Sequence, residues 1–269
     1  MIKKLTVTLT FLTLLLTPVP VLAIINTEGL PANRETNKTD VETALSEYKD
    51  AQIEEARITK LKELAGKAID LRIAHMERLK TRITASKISE SDKAMLTADL
   101  QTNVDGITTL KTSVTTETDL VLLKQKAQSV YADYRVYLAV LPRVHARFGA
   151  FRLNAAIAQA LSAESKVFET IERLSEYDID TTELEAWAAD FSDKLTEAQA
   201  KVTAADAKFV MIDAGNSEEV NRQYLADGRA LLTEAKELIT GSREDLKNIK
   251  ARITQEIKAI KEVSQSASQ

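Results

Sequence analysis

The residue types best able to do chemistry are concentrated in one stretch, Tyr131 to Arg152, which reads YADYRVYLAVLPRVHARFGAFR. It holds tyrosines, arginines and one of the two histidines of the chain. Guanidinium forks and tyrosine rings suit anionic or sugar-bearing polymers, or another protein. The candidate members of such a partner-binding patch are Tyr131, Tyr134, Arg135, Arg143 and Arg147.

The helical positions of this stretch leave two interpretations open. On one continuous helix, Arg135, Arg143 and Arg147 share a sector, and the apolar residues form a separate stripe. Pro142 cannot donate a backbone hydrogen bond and clashes with the preceding turn, so we expect a kink there. Either the aromatic rings fill the space that the kink opens, with arginines around them, or the stretch is a contact surface for a partner.

The common catalytic constellations are missing from the sequence. The absence of cysteine excludes disulfides, thiolate metal sites and cysteine nucleophiles. In the predicted helical register His75 and His145 lie about 15 Å apart along the axis, so we do not expect them to share a metal. Asp178, Asp180 and Glu183 begin like a calcium loop but lack its glycine and final glutamate. We therefore expect no catalytic residue, cofactor or metal, and a protein that is not an enzyme.

Composition predicts the fold class. Hydrophobic residues make up 44% of the chain and aromatic residues 5%, with 7 glycines and 4 prolines. This composition is poor for β-sheet proteins and typical of long helices. We predict an all-α protein, an elongated antiparallel helical bundle with long coiled-coil-like helices. The net charge of −4 argues against nucleic acid as a partner.

The N-terminus resembles a secretory signal peptide over residues 1–23. Lys3 and Lys4 precede an apolar run, and small residues permit cleavage after Ala23. The run is shorter than the about 20 residues that span a bilayer. We expect export to the periplasm or the outside of the cell, and a flexible leader at residues 24–39.

Helical periodicity predicts one bundle over residues 40–263, followed by a disordered tail at 264–269. The predicted helices cover about 40–85, 92–114, 119–177, 182–211 and 218–263. The last helix carries a seam with steps of three and four residues from Leu232 to Val263. This seam closes either within one chain or between two. The acid-rich segment Glu164–Glu219 is either a solvated face or a surface for a partner.

Two short motifs, Asp133–Tyr137 and Pro142–His145, resemble segments of uncharacterised secreted bacterial helical proteins. Those proteins are coiled-coil-like and have no assigned activity. The resemblance implies an extracytoplasmic helical bundle and adds no chemistry.

The expected function is that of an exported structural or interaction protein of the bacterial cell envelope. Its partner would be a protein or an anionic envelope polymer. The alternative is an amphipathic lipid-binding or chaperone-like protein whose helices open to expose their apolar faces. A membrane surface is an expected partner in that alternative alone.

Overall fold

The fold was described from a computed structural model, which covers residues 34–51, 53–176 and 179–266. The structure is 89% helical, which confirms the predicted all-α class. The elements are α1 Arg34–Asp50, α2 Glu54–Thr84, α3 Glu90–Thr116, α4 Leu120–Ala132, a π-helix Val136–Val140, α5 Leu141–Ser175, α6 Thr182–Val210 and α7 Glu218–Ser266. None of the described helices is long and apolar enough to cross a membrane.

The outer boundaries of the helical region differ from the predicted ones. The first helix begins at Arg34, inside the predicted leader, and the last continues to Ser266, past the predicted end at Val263. The signal peptide at 1–23, the leader residues 24–33 and the tail residues 267–269 lie outside the described residues.

The predicted continuous helix at 40–85 is wrong, because α1 and α2 form a helical hairpin. The Nζ of Lys60 lies 2.6 Å from the carboxylate of Glu47, although the two residues are 13 positions apart. On one straight helix that separation would be about 20 Å. Folding back lets Val41 and Ala44 of α1 share a core with α2. The three- and four-residue spacing of apolar residues continues across the turn between α1 and α2, so helical periodicity does not reveal this turn.

The chain divides into two compact units, each built from two stretches of sequence. The first unit contains the described residues up to Met76 together with Asn103–Leu138. Its core draws on α1, α2, α3 and α4. The buried members of this core are Val41, Ala44, Leu61, Leu64, Ala65, Val114 and Leu123. An ion pair of 2.5 Å between Lys111 and Asp70 joins α3 to α2 at its surface.

The turn between α3 and α4 is held by two acidic side chains. Asp119 caps α4 by accepting hydrogen bonds from the backbone N–H groups of Val121 and Leu122, at 2.7 and 2.9 Å. Glu117 accepts a hydrogen bond from Lys126 at 2.6 Å. It also accepts from the backbone N–H groups of Thr118 and Asp119. The Lys126 ammonium first, and these backbone donors second, lower the pKa of Glu117 from 4.5 to about 2.

Glu117→Gln is expected to destabilise the protein at neutral pH, with a difference that disappears in acid. A depressed native pKa adds stability above the unfolded value of 4.5, and this is lost as the pH falls through about 2. Urea unfolding of both proteins, followed from neutral pH down to about pH 2, measures the difference in the free energy of unfolding at each pH. Glu169→Gln removes an exposed pair with Arg173 and serves as the control. A constant difference across the pH range would contradict the prediction.

The second unit contains Glu77–Thr102 and the described residues from Ala139 onward. In it α5, α6 and α7 pack against one another. Residue numbers rise along one helix as they fall along its neighbour, so α6 runs antiparallel to both α5 and α7. The pairs that set this register are Asn154–Gln199 and Glu164–Ser192 between α5 and α6, and Asp227–Lys208, Glu234–Lys201 and Asp245–Lys194 between α7 and α6.

The seam of α7 closes within the chain over its buried part. Leu232, Ala235 and Ile239 join the core that α6 supplies with Phe191, Leu195 and Phe209. Farther along, Ile249 packs with Leu174 and Leu184 in a second core. Ser242 is buried in the seam and donates its hydroxyl proton to the carbonyl of Ile239, at 2.9 Å.

Candidate functional site

The stretch Tyr131–Arg152 is interrupted before its proline. Helix α4 ends at Ala132, and the backbone N–H of Asp133 closes it on the carbonyl of Ser129 at 3.0 Å. A π-helix follows, and α5 begins at Leu141 with Pro142 in its first turn. An interruption near Pro142 was expected, but it lies upstream of that residue. Proline fits the first turn because a backbone N–H there has no intrahelical acceptor to lose.

This interruption separates the five candidate patch residues. Tyr131, Tyr134 and Arg135 belong to the first unit, whereas Arg143 and Arg147 belong to the second. The expectation that the three arginines share a sector of one helix is therefore wrong, because no continuous α-helix joins residues 135 and 143. Partner binding by the five residues stays a prediction.

Arg143 binds within the second unit. Its Nε and Nη2 donate to the two carboxylate oxygens of Asp99 on α3, at 3.1 and 2.7 Å. Its Nη1 donates to the carbonyl of Ile212, in the turn between α6 and α7, at 2.9 Å. The Arg143 side chain is 17% exposed. It therefore ties three separate chain segments together.

Arg147 makes a similar contact one turn later. Its Nε and Nη2 donate to the carboxylate of Asp206 on α6, at 2.8 and 3.2 Å. Its Nη2 also lies 3.0 Å from the sulfur of Met95. The guanidinium carbon is 5.3 Å from the centre of the Phe151 ring. With 13% of its side chain exposed, Arg147 has most of its surface in contacts within the chain.

Tyr134 packs against a glycine of α3. A Cβ atom placed on Gly106 would lie 2.8 Å from the Cε1 of Tyr134, closer than carbon atoms approach. Glycine in a helix interior is destabilising, so Gly106 by itself weakens α3. The structure gives it a role, because the missing side chain makes room for the tyrosine ring.

A buried arginine in the first unit was missed at the sequence level. Arg72 is 4% exposed. Its guanidinium carbon lies 4.7 Å from the ring centre of Tyr131 and 5.2 Å from that of Tyr137. Its Nη1 donates to the carbonyl of Ala68 at 2.8 Å. One signal could have revealed it, since Arg72 lies within the apolar stripe of α2, three residues after the buried Ile69.

His75 joins the same cluster. Its Nδ1 and the hydroxyl of Tyr137 share a hydrogen bond of 2.7 Å. The two rings meet edge to face, with centroids 5.6 Å apart. We call Arg72, His75, Tyr131 and Tyr137 the Arg72 cluster.

Burial dominates the electrostatics of the ionisable groups in this stretch. Burial lowers the pKa of Arg72, and the phenols of Tyr131 and Tyr137 oppose that change. Burial raises the pKa of Tyr131, with Arg72 acting in the opposite direction. In the second unit, burial first and Arg82 second lower the pKa of His145.

Of the acidic residues considered for calcium, Asp180 takes part in local structure. Asp180 accepts a hydrogen bond from the backbone N–H of Thr182 at 3.1 Å, and Asp178 lies outside the described residues. In the described part of the chain, no group of 3 or more His, Cys, Asp or Glu side chains is arranged to hold a metal ion.

No protein-family model matches the chain, and neither does any curated protein or any solved structure. The function is therefore inferred from the chain's own residues and contacts.

Proposed function

We propose that the chain is an exported structural or interaction protein of the bacterial cell envelope, without enzymatic activity. Its partner is a protein or an anionic envelope polymer. The observation that carries this proposal is that the side chains best suited to chemistry hold the fold together. Arg143 and Arg147 bind carboxylates of neighbouring helices, and His75 binds Tyr137.

The surface of α6 supports a role in interaction. One face of α6 packs in the core, and many of the exposed positions on the rest of the helix carry carboxylates. The exposed acids of α6 are Glu183, Glu185, Asp190, Asp193 and Glu197. A surface with this charge attracts basic groups and repels acidic ones, which favours a protein partner with basic groups at this surface.

Export is supported by the sequence alone. Lys3 and Lys4 followed by an apolar run and by Ala23 are typical of a cleaved signal peptide. The resemblance of Asp133–Tyr137 and Pro142–His145 to secreted bacterial helical proteins points to the same compartment.

Expression of the full chain with a C-terminal tag tests export. We expect a processed protein that begins at Ile24 in the periplasmic or culture fraction, as measured by mass spectrometry of the intact chain. Replacement of Lys3 and Lys4 by glutamate is the control, because it removes the positive charge before the apolar run and should slow processing. Full-length protein confined to the cytoplasm would overturn the proposal.

Cross-linking in the native cell tests the interaction role. Photoreactive residues are placed on both units, because a probe on one unit reports on the surface of that unit alone. The exposed positions Asp133 and Glu197 serve the first and second unit respectively. We expect at least one position to join the chain to a partner, identified by mass spectrometry. Turnover of envelope substrates by the purified protein would contradict the non-enzymatic proposal.

Lipid binding is the second candidate function, and exposed apolar residues favour it. Val210 and Met211, at the end of α6, are 50% and 52% exposed, and Val220 at the start of α7 is 41% exposed. Flotation with anionic vesicles decides between the candidates. Protein that stays at the bottom of the gradient removes lipid binding, whereas protein that floats favours it over the envelope-polymer role.

A further inference from the structure

The charge of Arg72 is buried beside neutral groups. A guanidinium keeps its proton throughout the pH range in which proteins fold. Tyr131 is a neutral phenol at physiological pH, as an unperturbed tyrosine also is, and burial raises its pKa further. Among the described residues, the titratable groups that oppose the effect of burial on Arg72 are two tyrosines and no carboxylate. Arginine is seldom buried to this extent without a counter-charge.

The hydrogen bonding of Arg72 is also incomplete. Its Nη1 donates to the carbonyl of Ala68, but its buried Nε has no acceptor among the described residues. A buried donor left without an acceptor destabilises the folded protein, and more strongly when the group is charged. An anion that accepts this hydrogen bond would supply both the acceptor and the counter-charge.

The residues around Arg72 are suited to such an anion. Tyr131 and Tyr137 are half-buried, and their ring centres lie 4.7 and 5.2 Å from the guanidinium carbon. His75 fixes the hydroxyl of Tyr137 at 2.7 Å. Tyr137 lies in the π-helix, and such segments occur often at functional sites.

We propose that the Arg72 cluster binds an oxyanion, a carboxylate or a phosphate, carried by an anionic polymer. The guanidinium contacts the oxyanion, and the rings of Tyr131 and Tyr137 contact the adjoining part of the polymer. This inference names the chemistry of the partner in the proposed function and rests on the interaction role given there.

Nuclear magnetic resonance of the purified protein with isotope-labelled arginine tests the site directly. Inorganic phosphate and glucuronate are titrated separately, each against sodium chloride at equal ionic strength. We expect a saturable shift of the Arg72 Nε–Hε signal. The signal of Arg173, whose side chain is 70% exposed, is expected to follow ionic strength alone. A response to one anion identifies the oxyanion as phosphate or carboxylate, and a response to both supports a site for either.

Two variants separate the Arg72 contact from general charge effects. Arg72→Lys keeps the charge but loses the planar fork, so we expect binding to weaken by about tenfold or more. Arg173→Lys, the matched control, should bind as the unchanged protein does. If Arg72→Lys does not fold, Tyr137→Phe replaces it, because the ring remains while the hydroxyl is lost.

The inference is overturned if the Arg72 signal shows no saturable shift with either anion, or if the folded variant, Arg72→Lys or its replacement Tyr137→Phe, binds as tightly as the control. Such a result would not bear on whether the protein is exported. Conversely, a full-length chain confined to the cytoplasm would overturn export without altering the titration, so the two failures are distinguishable.

Discussion

Arg143→Ala is expected to lower the free energy of unfolding by about 2–3 kcal/mol. The substitution removes two hydrogen bonds to Asp99 and one to the carbonyl of Ile212. It also leaves the Asp99 carboxylate, 22% exposed, without this partner. Loss of one member of a largely buried pair costs more than the pair contributes, because the remaining charge stays poorly solvated. Urea denaturation followed by circular dichroism measures the change.

A surface pair provides the control for this prediction. Arg173→Ala removes an ion pair with Glu169 in which both side chains are more than half exposed. We expect a change within about 0.5 kcal/mol, because solvent screens such pairs. A double-mutant cycle with Asp99→Ala then isolates the contact, since the second substitution should cost less once Arg143 is gone. Equal effects of Arg143→Ala and Arg173→Ala would show that the Arg143 contacts do not hold the fold.

Gly228→Ala is expected to destabilise the second unit by about 1–3 kcal/mol. A Cβ atom at this position of α7 would lie 2.7 Å from the Cδ1 and Cζ atoms of Phe209. The ring of Phe209 is fully buried in the core, so it cannot move away without disturbing its neighbours. This overlap outweighs the better helix propensity of alanine, which is worth about 1 kcal/mol.

Gly66→Ala is the matched control, and its effect should have the opposite sign. Apart from its chain neighbours and the nearby backbone of α2, no atom lies within 4 Å of a Cβ placed on Gly66. The substitution should therefore stabilise the protein by about 0.5–1 kcal/mol through helix propensity alone. Thermal melts of both variants report the difference. Stabilisation by Gly228→Ala would mean that α6 and α7 are farther apart at Phe209 than the structure places them.

Much of the fold follows from local chemistry that the sequence displays. At the start of α3, the backbone N–H of Asp92, three residues after Ser89, donates to the Ser89 hydroxyl at 3.1 Å. Ser217 likewise accepts from the backbone N–H of Val220 at 3.3 Å at the start of α7. The seam from Leu232 to Ile249 is buried or half-buried, as its spacing predicted. Helix capping and apolar spacing involve residues that are close in sequence, so the sequence alone is enough to predict them.

The missed features depend on contacts between distant residues. The turn after Asp50 contains no glycine or proline, and it forms because α1 packs back on α2 through Val41 and Ala44. The end of α4 similarly lacks a local breaker, since Pro142 lies several residues downstream. In the candidate patch, Asp99 and Asp206 bind Arg143 and Arg147 from other helices. Helical periodicity carries no information about such partners.

Each unit consists of two stretches that alternate along the chain, so neither unit can be completed before part of the other has been synthesised. The chain leaves one unit for the other after Met76, Thr102 and Leu138. Residues 77–102 emerge from the ribosome before the rest of their own unit, which follows from Ala139 onward. The early stretch therefore lacks the rest of its unit until residues 103–138, the second part of the first unit, have been made. For the same reason, a single cut anywhere in the chain cannot release both units intact.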